Sequence, residues 1–136
     1  MKAIIPITVS GAVLADTNVP EDDAAEWDVG TTYADKARVI LAAQKSVYES
    51  LQGSNTGNDP TATGSLFWIR VMTTKPYRPF DKVLSSPISK TGDITYSIAP
   101  ATLIRAVALI GVSAAEATIA VENSGGTVIN TQTKTL

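Results

Sequence analysis

The stretch Arg38-Val39-Ile40-Leu41-Ala42-Ala43-Gln44-Lys45-Ser46-Val47-Tyr48-Glu49-Ser50-Leu51 has two readings, and the choice between them decides the fold. Apolar or neutral residues at Ala37, Ile40, Leu41, Gln44, Val47, Tyr48 and Leu51 follow helical spacing from Ala34 onward. Ala, Lys, Gln and Glu also favour a helix. The competing reading is a hairpin, with Arg38–Leu41 as one strand, Ser46–Leu51 as the other and Ala42–Lys45 turning between them. Periodicity alone favours the helix.

Outward from this stretch the punctuation is clearer. On the N-terminal side, Pro20 followed by Glu21, Asp22 and Asp23 is a helix-start pattern. Proline suits the first turn, and acids there face the positive end of the helix dipole. Gly30 limits such a helix to a turn or two. Earlier still, Ile4 to Val9 is a short strand candidate, broken by Ser10-Gly11 and followed by Ala12-Val13-Leu14. On the C-terminal side, residues 53 to 64 hold Gly53, Ser54, Asn55, Gly57, Asn58, Asp59, Pro60 and Gly64, which marks a loop. Leu66 to Met72 is a strand candidate rich in aromatic and branched residues. Lys75-Pro76-Tyr77-Arg78-Pro79 then interrupts the pattern.

The second half reads as sheet. Ile94, Tyr96 and Ile98 alternate with Thr95 and Ser97, as in a half-buried strand. Leu103 to Ile110 is apolar on both faces except at Arg105, which predicts a buried strand. Ala117 to Glu122 alternates again, Asn123-Ser124-Gly125-Gly126 is a hairpin turn, and Thr127 to Lys134 continues the sheet. The last strand runs straight on to Leu136, so the expectation is an edge that pairs with a neighbour or continues in a longer polypeptide.

Composition narrows the function. The chain has 136 residues, 44% of them hydrophobic, which suits one domain or two very small ones. Only 18% are charged, against a usual ~25%, and Thr, Ser, Ala, Asn and Gly fill the deficit. The net charge is −2 and no Lys/Arg block exists, which argues against nucleic-acid binding. Cysteine and histidine are both absent, which excludes disulfides, thiolate metal sites and every catalytic triad or dyad that needs His. No apolar run approaches the ~18 residues of a membrane span. The Ile4–Ile7 run is too short and too interrupted for a signal peptide.

Sites for chemistry are correspondingly few. The 13 acids are scattered, and Glu21-Asp22-Asp23 reads as a helix cap rather than a catalytic pair. Asn55 to Asp59 offers oxygen ligands but not the spacing of a calcium loop, so a structural turn is the better reading. Gly125-Gly126 lies in a hairpin, not in a phosphate loop. No cofactor or metal site and no catalytic residue is expected. The aromatics stand out: Trp27, Tyr33, Tyr48, Phe67 and Trp68 are five of the eight in the chain. They suit a miniature core or a sugar-stacking surface, since each large ring buries ~150–250 Å². Trp27, Tyr33 and Tyr48 read as core, and one of Phe67 and Trp68 must point away from the other on a strand.

At this segment the sequence resembles a known module. Trp27-Asp28-Val29-Gly30-Thr31-Thr32-Tyr33-Ala34, then Arg38-Val39-Ile40, Val47-Tyr48-Glu49-Ser50-Leu51-Gln52, Asn55-Thr56-Gly57-Asn58-Asp59-Pro60 and Trp68 carry the likeness. The order resembles a module common in bacteriophage tail and baseplate-associated proteins. It is also similar to the small chitin-binding modules of bacterial chitinases. The likeness spans about a third of the chain. It implies a hairpin over 34 to 51, with Gly-Thr-Thr-Tyr entering the first strand and Val-Tyr in the second. Pro79-Phe80-Asp81 and Ala106 to Val112 resemble the region C-terminal to this module in longer phage virion proteins, where a β-sandwich opens. One departure is that Gln52-Gly53-Ser54 stands where the chitin-binding modules expose a further aromatic.

The resulting expectation is a mainly β protein. It comprises an extended anchoring segment at 1–20, a small aromatic-centred β module at 21–74 and a β-sandwich-like region at 75–136, which stops before the sandwich is complete. The resemblance implies a non-enzymatic virion structural protein of the tail, baseplate or neck, made in the host cytoplasm. Its partners would be other virion proteins and further copies of itself. The assembly contacts expected are Ile4, Ile5, Ile7, Val9, Val13 and Leu14 at one end and Val128 and Leu136 at the other. The alternative is a carbohydrate-binding module that stacks host-surface glycan on Tyr33, Tyr48, Phe67 and Trp68.

Overall fold

The structure, a computed structural model, describes residues 6–83 and 86–136. It is mainly β, built of small antiparallel sheets with two short 3₁₀ segments. The strands are β1 (Leu14–Thr17), β2 (Thr32–Tyr33), β3 (Arg38–Leu41), β4 (Ser46–Ser50), β5 (Asn55–Thr56), β6 (Trp68–Thr73), β7 (Tyr96–Ile98), β8 (Glu116–Glu122) and β9 (Val128–Thr135). They fall into two compact units, Met1–Leu103 and Ile104–Leu136.

The first unit is organised on a three-stranded sheet of order β3-β4-β6. Here the hairpin replaces the helix that periodicity favoured. β3 and β4 pair Val39 with Tyr48 and Ile40 with Val47. A single 3₁₀ turn, Ala42–Gln44, joins them, and Lys45 closes it in the left-handed region at φ 53°. The reason lies in the third strand. β6 pairs with the free side of β4, setting Ser50 against Trp68 and Val47 against Met72. β4 is thus flanked on both edges, and Ser46, Val47, Tyr48 and Ser50 are all buried. A helix would have buried one stripe and left Ser46 and Ser50 facing water.

Val39, Tyr48 and Trp68 share one face of this sheet and form the core, with Trp27, Tyr33, Leu41 and Phe67 against them. On the other face Arg38 and Glu49 form a cross-strand ion pair at 2.9 Å. The outer side of β3 is covered, because Ile40 donates to the Ala25 carbonyl and accepts from the Trp27 amide. β2 and β5 pair Thr32 with Thr56 and Tyr33 with Asn55.

The acid run before Trp27 does not start a helix. Thr74 Oγ1 donates to Glu21 (2.6 Å), the Lys75 amide to Asp23 (2.8 Å) and Lys75 Nζ to Asp22 (2.6 Å). Arg78 pairs with Asp23, whose side chain is 3% exposed. These acids therefore hold the 3₁₀ helix Lys75–Phe80, the segment that reads from sequence as a break. The run has the pattern of a local cap, whereas its partners lie about fifty residues away.

β1 pairs with β7, matching Leu14 with Ile98 and Thr17 with Tyr96. Asn18 fastens the same junction, its Nδ2 donating to the Asp93 carbonyl (3.2 Å) and its Oδ1 accepting the Thr95 amide (3.0 Å). Phe80 meets Tyr96 edge-on at 5.3 Å. The buried strand expected at Leu103 to Ile110 is not formed: these residues lie outside every strand and are exposed. An apolar run becomes a strand only where an edge is available to pair with it.

The second unit is the antiparallel ribbon β8–β9. Asn123-Ser124-Gly125-Gly126 turns it, as expected, with Asn123 Oδ1 accepting the amides of Gly125 (2.9 Å) and Thr127 (3.0 Å) and Gly126 at φ 77°. No helix among the described residues is long and apolar enough to cross a membrane.

Candidate functional site

Two sets of residues stand out in the sequence, the aromatics of the small module and the apolar residues near the two ends. The hairpin brings the aromatics together. Trp68 is 4% exposed and Tyr48 7%, so both are core side chains. Tyr33 meets the Trp68 ring edge-on, with centroids 5.1 Å apart and planes at 71°. Trp68 Nε1 donates to the Asn58 carbonyl at 2.8 Å, which fixes the ring from its polar end. The Tyr33 hydroxyl accepts the Asp28 amide at 2.7 Å. Phe67 is half-buried beside the core. Ring surface available for stacking is therefore confined, within the set of four, to Tyr33 and Phe67.

The polar loop between them is structural. Asn55 is 1% exposed, and its amide nitrogen donates to Ser50 Oγ (2.9 Å) and the Phe67 carbonyl (3.2 Å). Its oxygen accepts from Asn58 Nδ2 at 2.9 Å. Each polar atom of this buried side chain is thus satisfied within the protein, as burial demands. Asp59 caps the next turn, accepting the Thr61 amide (2.7 Å) and hydroxyl (2.8 Å), and these bonds hold its carboxyl below the usual range. Asp28 caps an earlier turn, its Oδ1 accepting from the Gly30 amide (2.9 Å) and the Thr31 hydroxyl (3.1 Å).

The end residues divide. Ile4 and Ile5 lie outside the described residues. Ile7 and Val9 are half-buried. Val13 and Leu14 are engaged within the chain, for the Val13 carbonyl accepts the Ala99 amide at 2.7 Å and Leu14 pairs with Ile98. Val128 and Leu136 remain exposed, at 50% and 53%.

The open edge of β6 is a feature that side-chain patterns did not reveal. β6 is an outer strand of its sheet, with Ile69 49% exposed on it. A cleft of about 370 Å³ runs beside it, lined in part by Lys45, Arg70, Tyr77 and Lys82. Arg70 is held there by bonds to Ser46 Oγ (2.8 Å) and Thr73 Oγ1 (3.1 Å), and Lys45 Nζ lies 5.1 Å from the centre of the Tyr77 ring. In the second unit both outer sides of the ribbon are open among the described residues, and every residue of β9 is exposed.

No protein-family model, curated protein or solved structure matches this chain.

Proposed function

We propose that this chain is a structural protein of a bacteriophage virion, acting in the tail, baseplate or neck by adding strands to neighbouring subunits. The phage assignment draws on the resemblance of the Trp27–Trp68 segment. The mechanism draws on one observation: the β8–β9 ribbon offers two open edges and almost no buried surface of its own. Two-stranded ribbons are marginal in water and gain stability from a third strand. Main-chain hydrogen bonds along such an edge supply adhesion, and the side chains between them supply selectivity. The low charge content spares the interface the cost of desolvating ions.

Glycan binding is the second reading, favoured by the partial exposure of Tyr33 and Phe67. It would use those two rings as a small stacking surface for a host-surface sugar. The deciding experiment is to locate the chain in purified particles by immunogold labelling and electron microscopy. Regular labelling at one position of the tail, baseplate or neck is expected. Particles that lack the chain altogether would refute the assembly reading. Retention on chitin or cell-wall glycan, lost in Phe67→Ala, would favour the second.

A further inference from the structure

Resting on the assembly reading, we propose that β9 is a homodimerisation edge, pairing antiparallel with β9 of a second copy to give a four-stranded sheet of order β8-β9-β9-β8. The argument begins with which main-chain groups face outward. The Leu136 amide donates to the Ala115 carbonyl at 3.1 Å, so these two form a hydrogen-bonded pair. Pairs along an antiparallel ladder alternate between bonded and non-bonded. Thr118–Thr133 is thus a non-bonded pair, in keeping with the 2.9 Å contact between their hydroxyls. The N–H and C=O groups of Thr131, Thr133 and Thr135 consequently point away from β8.

Charge then selects the edge that can pair with its own copy. A two-fold axis sets each residue against its reflection through the centre of the strand. On β8 a pair centred on Ile119 would oppose Glu116 to Glu122, and on β6 a pair centred on Arg70 would oppose two guanidiniums. Like charges directly opposite are destabilising. β9 is free of this conflict, since Lys134 is the one charge on its eight residues. The register that bonds the outward groups of Thr131 to those of Thr133 centres the axis on Gln132. It sets Gln132 against its own copy and Lys134 against Asn130. β9 also has neither Pro nor Gly, and its bulge, at Ile129, lies outside the segment from Asn130 to Lys134 that this register pairs.

The absence of cysteine allows a register test on the full chain. Gln132→Cys places two thiols across the axis in a non-bonded pair, where Cα atoms lie ~4.5 Å apart, within disulfide range. Asn130→Cys sets the thiol against Lys134. Under mild oxidation, Gln132→Cys is expected to form a covalent dimer and Asn130→Cys at least tenfold less. In sedimentation the unmodified chain is expected at twice the monomer mass. Thr133→Pro is expected to be monomeric, because it removes an outward N–H while sparing the β8–β9 ladder. A far-UV spectrum matching that of the unmodified chain shows that this variant has folded. A monomeric unmodified chain, equal cross-linking of the two cysteine variants, or a folded Thr133→Pro that still dimerises would overturn the proposal. If the chain is monomeric yet labels particles, this inference fails and the assembly reading stands. A Gln132-centred dimer that no particle contains gives the reverse.

Discussion

Replacing Trp68 with alanine removes the largest side chain from the core of the first unit. The ring is 4% exposed, contacts Tyr33 edge-on at 5.1 Å and donates through Nε1 to the Asn58 carbonyl at 2.8 Å. Large-to-small aromatic substitutions in cores cost about 3–5 kcal/mol. The edge-to-face contact accounts for about 0.5–1.5 kcal/mol beyond area. Since a domain is stable by about 5–15 kcal/mol in all, the variant should be near its limit. With a urea dependence of about 1–3 kcal/mol/M, its unfolding midpoint should fall by about 2 M. Far-UV circular dichroism during urea titration measures this without relying on tryptophan emission. Trp68→Phe restores most of the ring but not the donor, and should lose about 1–2 kcal/mol through the unpaired Asn58 carbonyl. An unchanged midpoint in Trp68→Ala would refute the reasoning. It would put the ring on the surface, where it belongs to a stacking platform rather than a core.

Other perturbations probe the remaining contacts. Asn55→Ala removes the side-chain donor to the Ser50 hydroxyl and one of the two donors to the Phe67 carbonyl and should cost about 1–3 kcal/mol in the same titration; an unchanged midpoint would show these contacts to be dispensable. Asp23→Ala strands Arg78 in a largely buried position, and destabilisation of about 3–5 kcal/mol is expected; a loss below about 0.5 kcal/mol, typical of exposed pairs, would show the pair to be dispensable. Glu49→Gln, at a half-exposed cross-strand pair, should cost about 0.2–1 kcal/mol, and a larger loss by the same assay would contradict its surface setting. Burial pushes the Tyr96 phenol up to about 12 from an ordinary value of 10. The folded state then holds its proton where the unfolded chain releases it, so the stabilisation is complete below pH 10 and is lost as pH rises toward about 12. Thermal midpoints of the wild type should fall more steeply across that window than those of Tyr96→Phe; identical slopes would show the phenol to be open to water.

Local signals carried the turns and most of the strands. Asn123 to Gly126 contains both the asparagine that bonds its own backbone and the glycine that takes φ 77°, so its role is encoded within four residues. The alternation at Ile94, Tyr96 and Ile98, and at Ala117 to Glu122, likewise appears as β7 and β8. The clustered aromatics marked the core of the first unit, although the exposure of each ring depends on packing that spacing does not encode. The open edge of β6 left no signature, because a residue's own sequence neighbours do not say whether a strand lies beside it.

Turn chemistry, charge poverty and the absence of His and Cys were decided by the sequence alone, for these depend on residue identity or on bonds within a few positions. What only the tertiary structure decided involves partners far along the chain. Residues 38 to 51 carry helical spacing, yet β6 lies on the far side of β4 and buries Ser46 and Ser50 along with Val47 and Tyr48, which makes the hairpin the better solution. Glu21 to Asp23 carry a helix-start pattern, yet Thr74, Lys75 and Arg78 claim their carboxylates. Leu103 to Ile110 has the composition of a buried strand and lies in none. In the first two cases local preference amounts to tenths of a kcal/mol per residue, about 0–0.7, whereas burial and buried pairing are worth several times that.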